Sequence, residues 1–307
     1  MKTKVQLVEM GLRDGLQNEK VMLDVNQRCE LALRLSTAGL KRIEVGAFVR
    51  PNWVPQMAGT ADVIRQVQEL VKSKKISRQV QFSVLVPNEK GMEYALMSKV
   101  SEIAIFASSS ETFSQKNINC SIEESFQRFA PVVRLAKEHK IKVRSYLSVC
   151  FGCPYEGKIS ETKVVQLAKR MHRLGVYEIS IGDTIGVAHP GQVKSLFQKL
   201  KKEIPVGKLV GHFHDTRGTA LVNILTAYQL GVRVFDTSIG GLGGCPYAPG
   251  AAGNVATEDV VYMFDGLGVK TGVDLDKLIE TNRWLSETMK KILPSKVGSV
   301  GRLIPKK

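Results

Sequence analysis

The motif His212-Phe213-His214-Asp215 follows the apolar run Leu209-Val210-Gly211. In a strand, successive side chains alternate faces, so residues two apart point the same way. His212 and His214 would then face one site, close enough for two imidazoles to hold a single metal ion. The chain has 307 residues and only five histidines, and this motif uses two of them. Imidazole is the commonest metal ligand. A satisfied, half-buried histidine pair would look the same in isolation, so the reading depends on what else reaches the site.

The elements around the motif follow a strict order. Short β-branched runs fall at 5–10, 41–46, 80–86, 101–106, 142–149, 176–181, 208–213 and 234–239. Helical patterns lie between them at 26–38, 60–73, 89–97, 121–139, 160–174, 190–203 and 218–230, with another at 257–266. Ser121 before Glu123-Glu124 and Ser160 before Glu161 are helix-start signals. Gly39, Gly175 and Gly231 each stand between a helix and a strand, where a C-cap glycine belongs. Eight alternations of strand and helix predict an α/β protein, a parallel sheet closed into a (β/α)₈ barrel. No G-x-G-x-x-G follows an early strand, which argues against a doubly wound sheet. No linker or second core is visible, so 1–307 reads as one catalytic domain. Residues after about 268 read as additional C-terminal helices packed on the barrel.

In such barrels the chemistry sits at the C-terminal ends of the strands. Polar residues recur there in this sequence. Arg13-Asp14-Gly15 follows the first strand, and Glu44 interrupts the apolar second strand. Ser145 and Ser148 lie near the end of the fifth, and Gly182-Asp183-Thr184 ends the sixth. The eighth leads into Gly240-Gly241-Leu242-Gly243-Gly244-Cys245-Pro246. Arg13-Asp14 alone could be a surface turn, and Asp183 alone a helix cap. Glu44 resists such a reading, because a lone carboxylate in an apolar strand is costly without a partner. Two imidazoles, the Asp14 carboxylate and a carbonyl such as that of Asn254 form a mixed N/O ligand set. That set suits Mg²⁺ or Mn²⁺, and is compatible with Zn²⁺ or Co²⁺. Cys150-Phe151-Gly152-Cys153 has no second C-x-x-C, so it is neither a zinc knuckle nor a thioredoxin-type motif.

Composition bounds the remaining classes. Hydrophobic residues at 43% and charged residues at 24% describe a soluble globular chain. No stretch approaches the roughly 20 apolar residues of a membrane span. The N-terminal run enters the first strand at once, which leaves no room for a targeting peptide. Five scattered cysteines indicate a reduced, cytoplasmic setting. The net charge of +15 is dispersed, and its densest groups, Lys72–Lys75 and Lys199–Lys202, sit at helix ends. A nucleic-acid-binding barrel would need a basic stripe interleaved with exposed aromatics. The sequence has neither, and the charge fits a phosphate-bearing small substrate better.

Longer motifs carry a resemblance. Val8-Glu9-Met10-Gly11-Leu12-Arg13-Asp14-Gly15-Leu16-Gln17-Asn18-Glu19-Lys20 resembles the opening motif of 3-hydroxy-3-methylglutaryl-CoA lyases. So do Trp53-Val54-Pro55-Gln56-Met57, Lys116–Ser125, Gly152–Gly157, Gly182–Val187, His212–Asp215, Gly241–Tyr247 and Ala252-Gly253-Asn254. Related Claisen-type synthases share the first motif, and the cysteine in the last glycine loop points to the lyase branch. The resemblance implies cleavage of 3-hydroxy-3-methylglutaryl-CoA to acetyl-CoA and acetoacetate, a step of leucine degradation and ketone-body formation. It implies a divalent cation (Mg²⁺ or Mn²⁺) on Asp14, His212, His214 and Asn254. It places Arg13, Glu44, Asp183, Cys245 and His212 in catalysis, and Arg13, Gln17, Lys20 and Thr184 against the acyl-CoA. No nucleic acid or membrane partner is expected, and a homodimer is. In this scheme Asp183 takes the substrate hydroxyl proton, Arg13 stabilises the enolate oxygen and Cys245 protonates the enolate carbon. Two positions depart from the family pattern: Arg217 stands for an aromatic residue and Ala47 for a small hydroxyl residue. They leave open a lyase acting on another 3-hydroxyacyl-CoA, and a synthase condensing acetyl-CoA with a 2-oxo acid is the other reading.

Overall fold

The eight β-branched runs form eight parallel strands that close, in sequence order, into a barrel. They are β1 (Gln6–Glu9), β2 (Arg42–Ala47), β3 (Gln81–Leu85), β4 (Glu102–Ser108), β5 (Lys142–Ser148), β6 (Glu178–Asp183), β7 (Leu209–Phe213) and β8 (Val234–Thr237). The computed structural model describes residues 4–244 and 253–302. Closure is made by β1 on β8, with Gln6 beside Val234 and Glu9 beside Thr237. The (β/α)₈ expectation is met.

Helices α1 (Val25–Thr37), α2 (Thr60–Lys72) and α3 (Glu89–Met97) follow the first three strands. The β4–β5 crossover holds two, α4 (Glu111–Ile118) and α5 (Ile122–Glu138). Then come α6 (Glu161–Leu174), α7 (Pro190–Leu200), α8 (Ala220–Gln229) and α9 (Thr257–Gly266). The apolar pattern does not show α4, which has only Phe113 and Ile118 as large apolar residues. Ser110 starts it by accepting a hydrogen bond from the Phe113 amide at 3.0 Å. Ser121 caps α5 in a reciprocal capping box with Glu124. Ser160 occupies the N-cap of α6 without a side-chain cap bond. Gly39, Gly175 and Gly231 all adopt left-handed φ near +100°, as C-caps require.

After the barrel come α10 (Leu275–Met289) and α11 (Lys296–Val300). Asn282 of α10 donates to the buried Glu258 of α9 at 2.7 Å. Asp259 of α9 accepts from the Ser295 hydroxyl at 2.8 Å and from the amides of Lys296 and Val297, which fixes the start of α11. No helix among the described residues is long and apolar enough to cross a membrane.

The barrel interior is not wholly apolar. Arg42 forks onto Glu178 at 3.0 and 2.7 Å. Above that pair, Arg144 meets Asp236 at 2.8 Å. All four side chains are buried. Buried charges survive when paired and hydrogen-bonded, and this column rises toward the strands' C-terminal ends, where the site lies.

Candidate active site

The chain turns sharply after β1. Residues Gly11–Gly15 form a single π-helical turn, a local widening that recurs at functional sites. The turn carries Arg13 and Asp14 onto the barrel rim. Strand β7 brings His212 inward and ends at Phe213, one residue earlier than the alternation argument requires. His214 is held beyond it by an antiparallel bridge to Asn254. The Val255 amide donates to the Phe213 carbonyl at 3.1 Å, so the returning chain sets Asn254 beside the histidines. The two imidazoles do share a face, with ring centroids 5.3 Å apart.

One ligand atom from each of Asp14, His212 and His214 falls within 4.8 Å of the others, a cluster able to hold a metal ion. Burial followed by the neighbouring His212 pushes the His214 pKa down to about 4, so the ring is neutral near pH 7 and one of its nitrogens keeps a lone pair for a ligand. Burial would raise Asp14, but Arg13, His212 and His214 outweigh it and bring Asp14 to about 2. His212 Nδ1 lies 3.2 Å from Asp236 Oδ2, which leaves Nε2 for the cluster. The Asn254 amide nitrogen donates to Asp14 Oδ2 at 2.8 Å, while its buried oxygen has no partner. An orphaned buried acceptor beside a carboxylate and two neutral imidazoles fits a cation. Oxygen and imidazole donors without a thiolate suit a hard or borderline divalent metal.

Arg13 is the second centre. Its Nε donates to Glu44 Oε1 at 2.5 Å and its Nη1 to Asp14 Oδ1 at 2.5 Å. Its guanidinium carbon stands 5.1 Å from the Tyr146 ring centroid. Burial would lower the Arg13 pKa, but Glu44 and Asp14 reverse this and hold it above its ordinary value. Glu44, fully buried on β2, also accepts from the Tyr146 hydroxyl. The partner that Glu44 required is therefore Arg13. Glu44 does not line the cavity, and its carboxylate contacts Arg13 and Tyr146.

A cavity of about 390 Å³ opens over these groups. Arg13, Asp14, Gln17, Tyr146, Ser148, Thr184, His212 and His214 line it, with Val49, Trp53, Phe106 and Phe113 on its apolar side. Of the expected substrate contacts, Arg13, Gln17 and Thr184 reach the wall. Lys20 is exposed and outside it, because its side chain leaves the first loop toward solvent. Asp183 is 1% exposed and turns to the chain after β6, accepting from the Val187 and Ala188 amides at 2.9 and 3.0 Å. Burial raises it to about 6 despite those two bonds. Its neighbours Gly182 and Thr184 line the cavity while it does not. Cys245 lies outside the described residues, one position beyond the cavity-lining Gly244. The two departures, Ala47 and Arg217, are not in the wall. Arg217 donates to the Ile185 and Gly186 carbonyls.

Sequence reasoning missed Asp236, Arg144 and Tyr146. Asp236 accepts from Arg144, from the Ser180 hydroxyl at 2.6 Å, and faces His212. Burial opposes its charge, but Arg144 and then His212 hold it below the usual carboxylate range. A carboxylate behind a metal-binding imidazole fixes tautomer and ring orientation. The isolated carboxylate in Val234-Phe235-Asp236-Thr237 is the same signal that singled out Glu44.

A closed parallel barrel with a carboxylate–imidazole cluster able to hold a metal ion at the C-terminal ends of its strands has the architecture of a (β/α)₈ enzyme. The HMGL-like family model matches residues 4–285, and the chain belongs to that family. It is 50% identical over 293 residues to the mouse cytoplasmic 3-hydroxy-3-methylglutaryl-CoA lyase, covering 95% of this chain and 83% of the mouse protein. It is 48% identical to the Pseudomonas aeruginosa 3-hydroxy-3-isohexenylglutaryl-CoA/hydroxy-methylglutaryl-CoA lyase, over 94% of both chains. The crystal structure of hydroxymethylglutaryl-CoA lyase from Pseudomonas aeruginosa superposes with a TM-score of 0.91 at 46% identity, over 97% of each chain.

Proposed function

We propose that this chain cleaves 3-hydroxy-3-methylglutaryl-CoA into acetyl-CoA and acetoacetate. The observation that carries the reading is the convergence of Asp14, His212 and His214 with the partnerless Asn254 oxygen, beside a cavity that Arg13 also lines. Those four residues would hold Mg²⁺ or Mn²⁺. When bound, such a cation polarises the substrate's oxygens and lowers the pKa of its tertiary hydroxyl.

The protein's own groups do the rest. His212 uses Nδ1 on Asp236 and Nε2 on the cluster, so it has no lone pair left for a proton. We assign the acceptor as Asp183, which stands between the cavity-lining Gly182 and Thr184. Its amide bonds take one lone pair on each oxygen and leave another, and a pKa of about 6 suits a base working near neutrality. As the hydroxyl proton goes to Asp183, the hydroxyl carbon becomes the ketone of acetoacetate. The electrons of the broken carbon–carbon bond move into the thioester enolate. Arg13, already fixed by Glu44 and Asp14, presents its remaining N–H groups to that oxygen. Cys245 supplies the proton that completes the acetyl-CoA methyl group.

The test is incubation of metal-stripped protein with the thioester, before and after adding Mn²⁺, with products identified by mass spectrometry. Equal amounts of acetyl-CoA and acetoacetate, formed only with metal, are expected. An intact thioester would defeat the reading, as would condensation of acetyl-CoA with a 2-oxo acid. We also propose a cytoplasmic location and a homodimer; sedimentation of the purified protein checks the dimer.

A further inference from the structure

We infer that Arg28 is a positioning residue for binding of the acyl-CoA substrate, through the segment 46–59 that forms one wall of the cavity. The inference rests on the acyl-CoA reading above. Arg28 lies on α1 and is 1% exposed. Among the described residues no carboxylate pairs with it. Burial pulls its pKa down to about 10. A buried cation without a counter-charge is costly, and what this one holds is two backbone carbonyls and, at 3.4 Å, the Thr60 hydroxyl.

Its Nη1 donates to the Ala58 carbonyl at 2.7 Å, and its Nη2 to the Val45 carbonyl at 3.0 Å. These two carbonyls stand at the ends of the wall segment. Val45 sits at a bulge, because the β2–β3 register passes from Glu44 beside Ser83 to Gly46 beside Val84. Its carbonyl is thus a group that the sheet leaves to a side chain. At the other end the chain leaves the 3₁₀ turn Pro55–Met57 and reverses at Gly59, with φ +70°. One guanidinium therefore ties together the start and finish of a segment whose Val49, Arg50, Trp53 and Val54 line the cavity. Only a planar fork reaches both carbonyls at once.

Gly46 belongs to the same device. A Cβ there would lie 2.5 Å from Thr60 Oγ1 and 2.9 Å from Arg28 Nη2. The glycine is what lets the guanidinium and Thr60 close on the bulge. The reacting end is anchored separately, since Glu44 is held by Arg13 and Tyr146. Disturbing Arg28 should therefore weaken binding and spare turnover.

The experiment measures coenzyme A affinity by calorimetry, Mn²⁺ affinity, steady-state kinetics and thermal midpoint for wild type, Arg28→Lys and Gly46→Ala. Losing one charge-assisted bond predicts a rise of about 10-fold in KM. Turnover should stay within about 3-fold, with Mn²⁺ affinity unchanged. Gly46→Ala keeps every hydrogen-bonding group, so it carries the test if Arg28→Lys does not fold. Wild-type coenzyme A affinity and wild-type KM in the folded variants, with only the thermal midpoint lowered, would make Arg28 a packing residue and overturn the inference. A fall in turnover at unchanged KM would overturn it too. A wild-type protein that does not bind coenzyme A would instead remove the acyl-CoA reading, and the inference with it.

Discussion

Asp236→Asn is the substitution that the site geometry makes most informative. The carboxylate is fully buried and holds three groups: Arg144 at 2.8 Å, the Ser180 hydroxyl at 2.6 Å and His212 Nδ1 at 3.2 Å. The amide keeps the shape but loses the charge. Arg144 is then left with the more distant Glu178, 3.8 Å away. Removing one partner of a buried pair costs about 3–5 kcal/mol, and the retained hydrogen bonds place this change near 3. At roughly 2–4 °C per kcal/mol for a chain of this size, the thermal midpoint should fall by about 6–12 °C. The amide can also present its N–H₂ to His212, which favours the wrong tautomer and should weaken Mn²⁺ binding by about 10–100-fold. The sign with pH follows from the depressed pKa of Asp236. Its stabilisation is present above the ordinary carboxylate range and lost as pH falls below about 4, so the variant should show less acid destabilisation. Calorimetric Mn²⁺ titration and thermal melts from pH 3 to 7 read both effects. A lowered midpoint with wild-type Mn²⁺ affinity would refute the claim that Asp236 orients His212, and would leave it as the counter-ion of Arg144 alone.

Other outcomes follow from the same geometry. Arg13→Lys keeps a charge but cannot meet Glu44, Asp14 and an enolate together, so kcat should fall by roughly 10²–10³ in a steady-state assay. Cys245→Ser should lose kcat far more than it changes KM, since a hydroxyl is a much weaker acid than a thiol of pKa about 8.5. An unchanged kcat with a lowered thermal midpoint would make Cys245 a packing residue. Burial raises Glu9 to about 7 and Glu258 to about 8. Between about pH 4.3 and 8 the folded chain then binds more protons than the unfolded one, so stability declines as pH rises through that window. Melts at pH 5.5 and 8.5 should show the higher midpoint at 5.5, with a shallower slope for Glu258→Gln.

The barrel was legible because its signals are local. Each strand is a short β-branched run, and each crossover carries a long amphipathic pattern. Helix α4 escaped because eight residues with two large apolar side chains give no period to detect. The cluster was legible through the i, i+2 spacing of His212 and His214, although β7 ends at Phe213 and the bridge to Asn254 is what holds His214 on the shared face. What spacing cannot give is a partner across the barrel. Glu44 announced that it needed one, but that Arg13, 31 residues earlier, supplies it depends on how the π-turn after β1 folds over β2. Asp236 and Arg144 lie 92 residues apart on strands that are not neighbours, and only closure of the sheet brings them together. Lys20 belongs to a motif of which Arg13, Asp14, Gln17 and Asn18 line the cavity, while Lys20 itself is exposed outside it. Asp183 lies between, correctly placed at a strand end but with its carboxylate turned to the amides beyond it.

The central claim is that Asp14, His212, His214 and Asn254 form one divalent-metal site. Mn²⁺ titration followed by electron paramagnetic resonance, on wild type and His214→Ala, tests it most directly. The account predicts one saturable Mn²⁺ per chain in the wild type, and loss of most of that affinity in a variant that still melts cooperatively. A folded His214→Ala protein that binds Mn²⁺ as tightly as the wild type would contradict it.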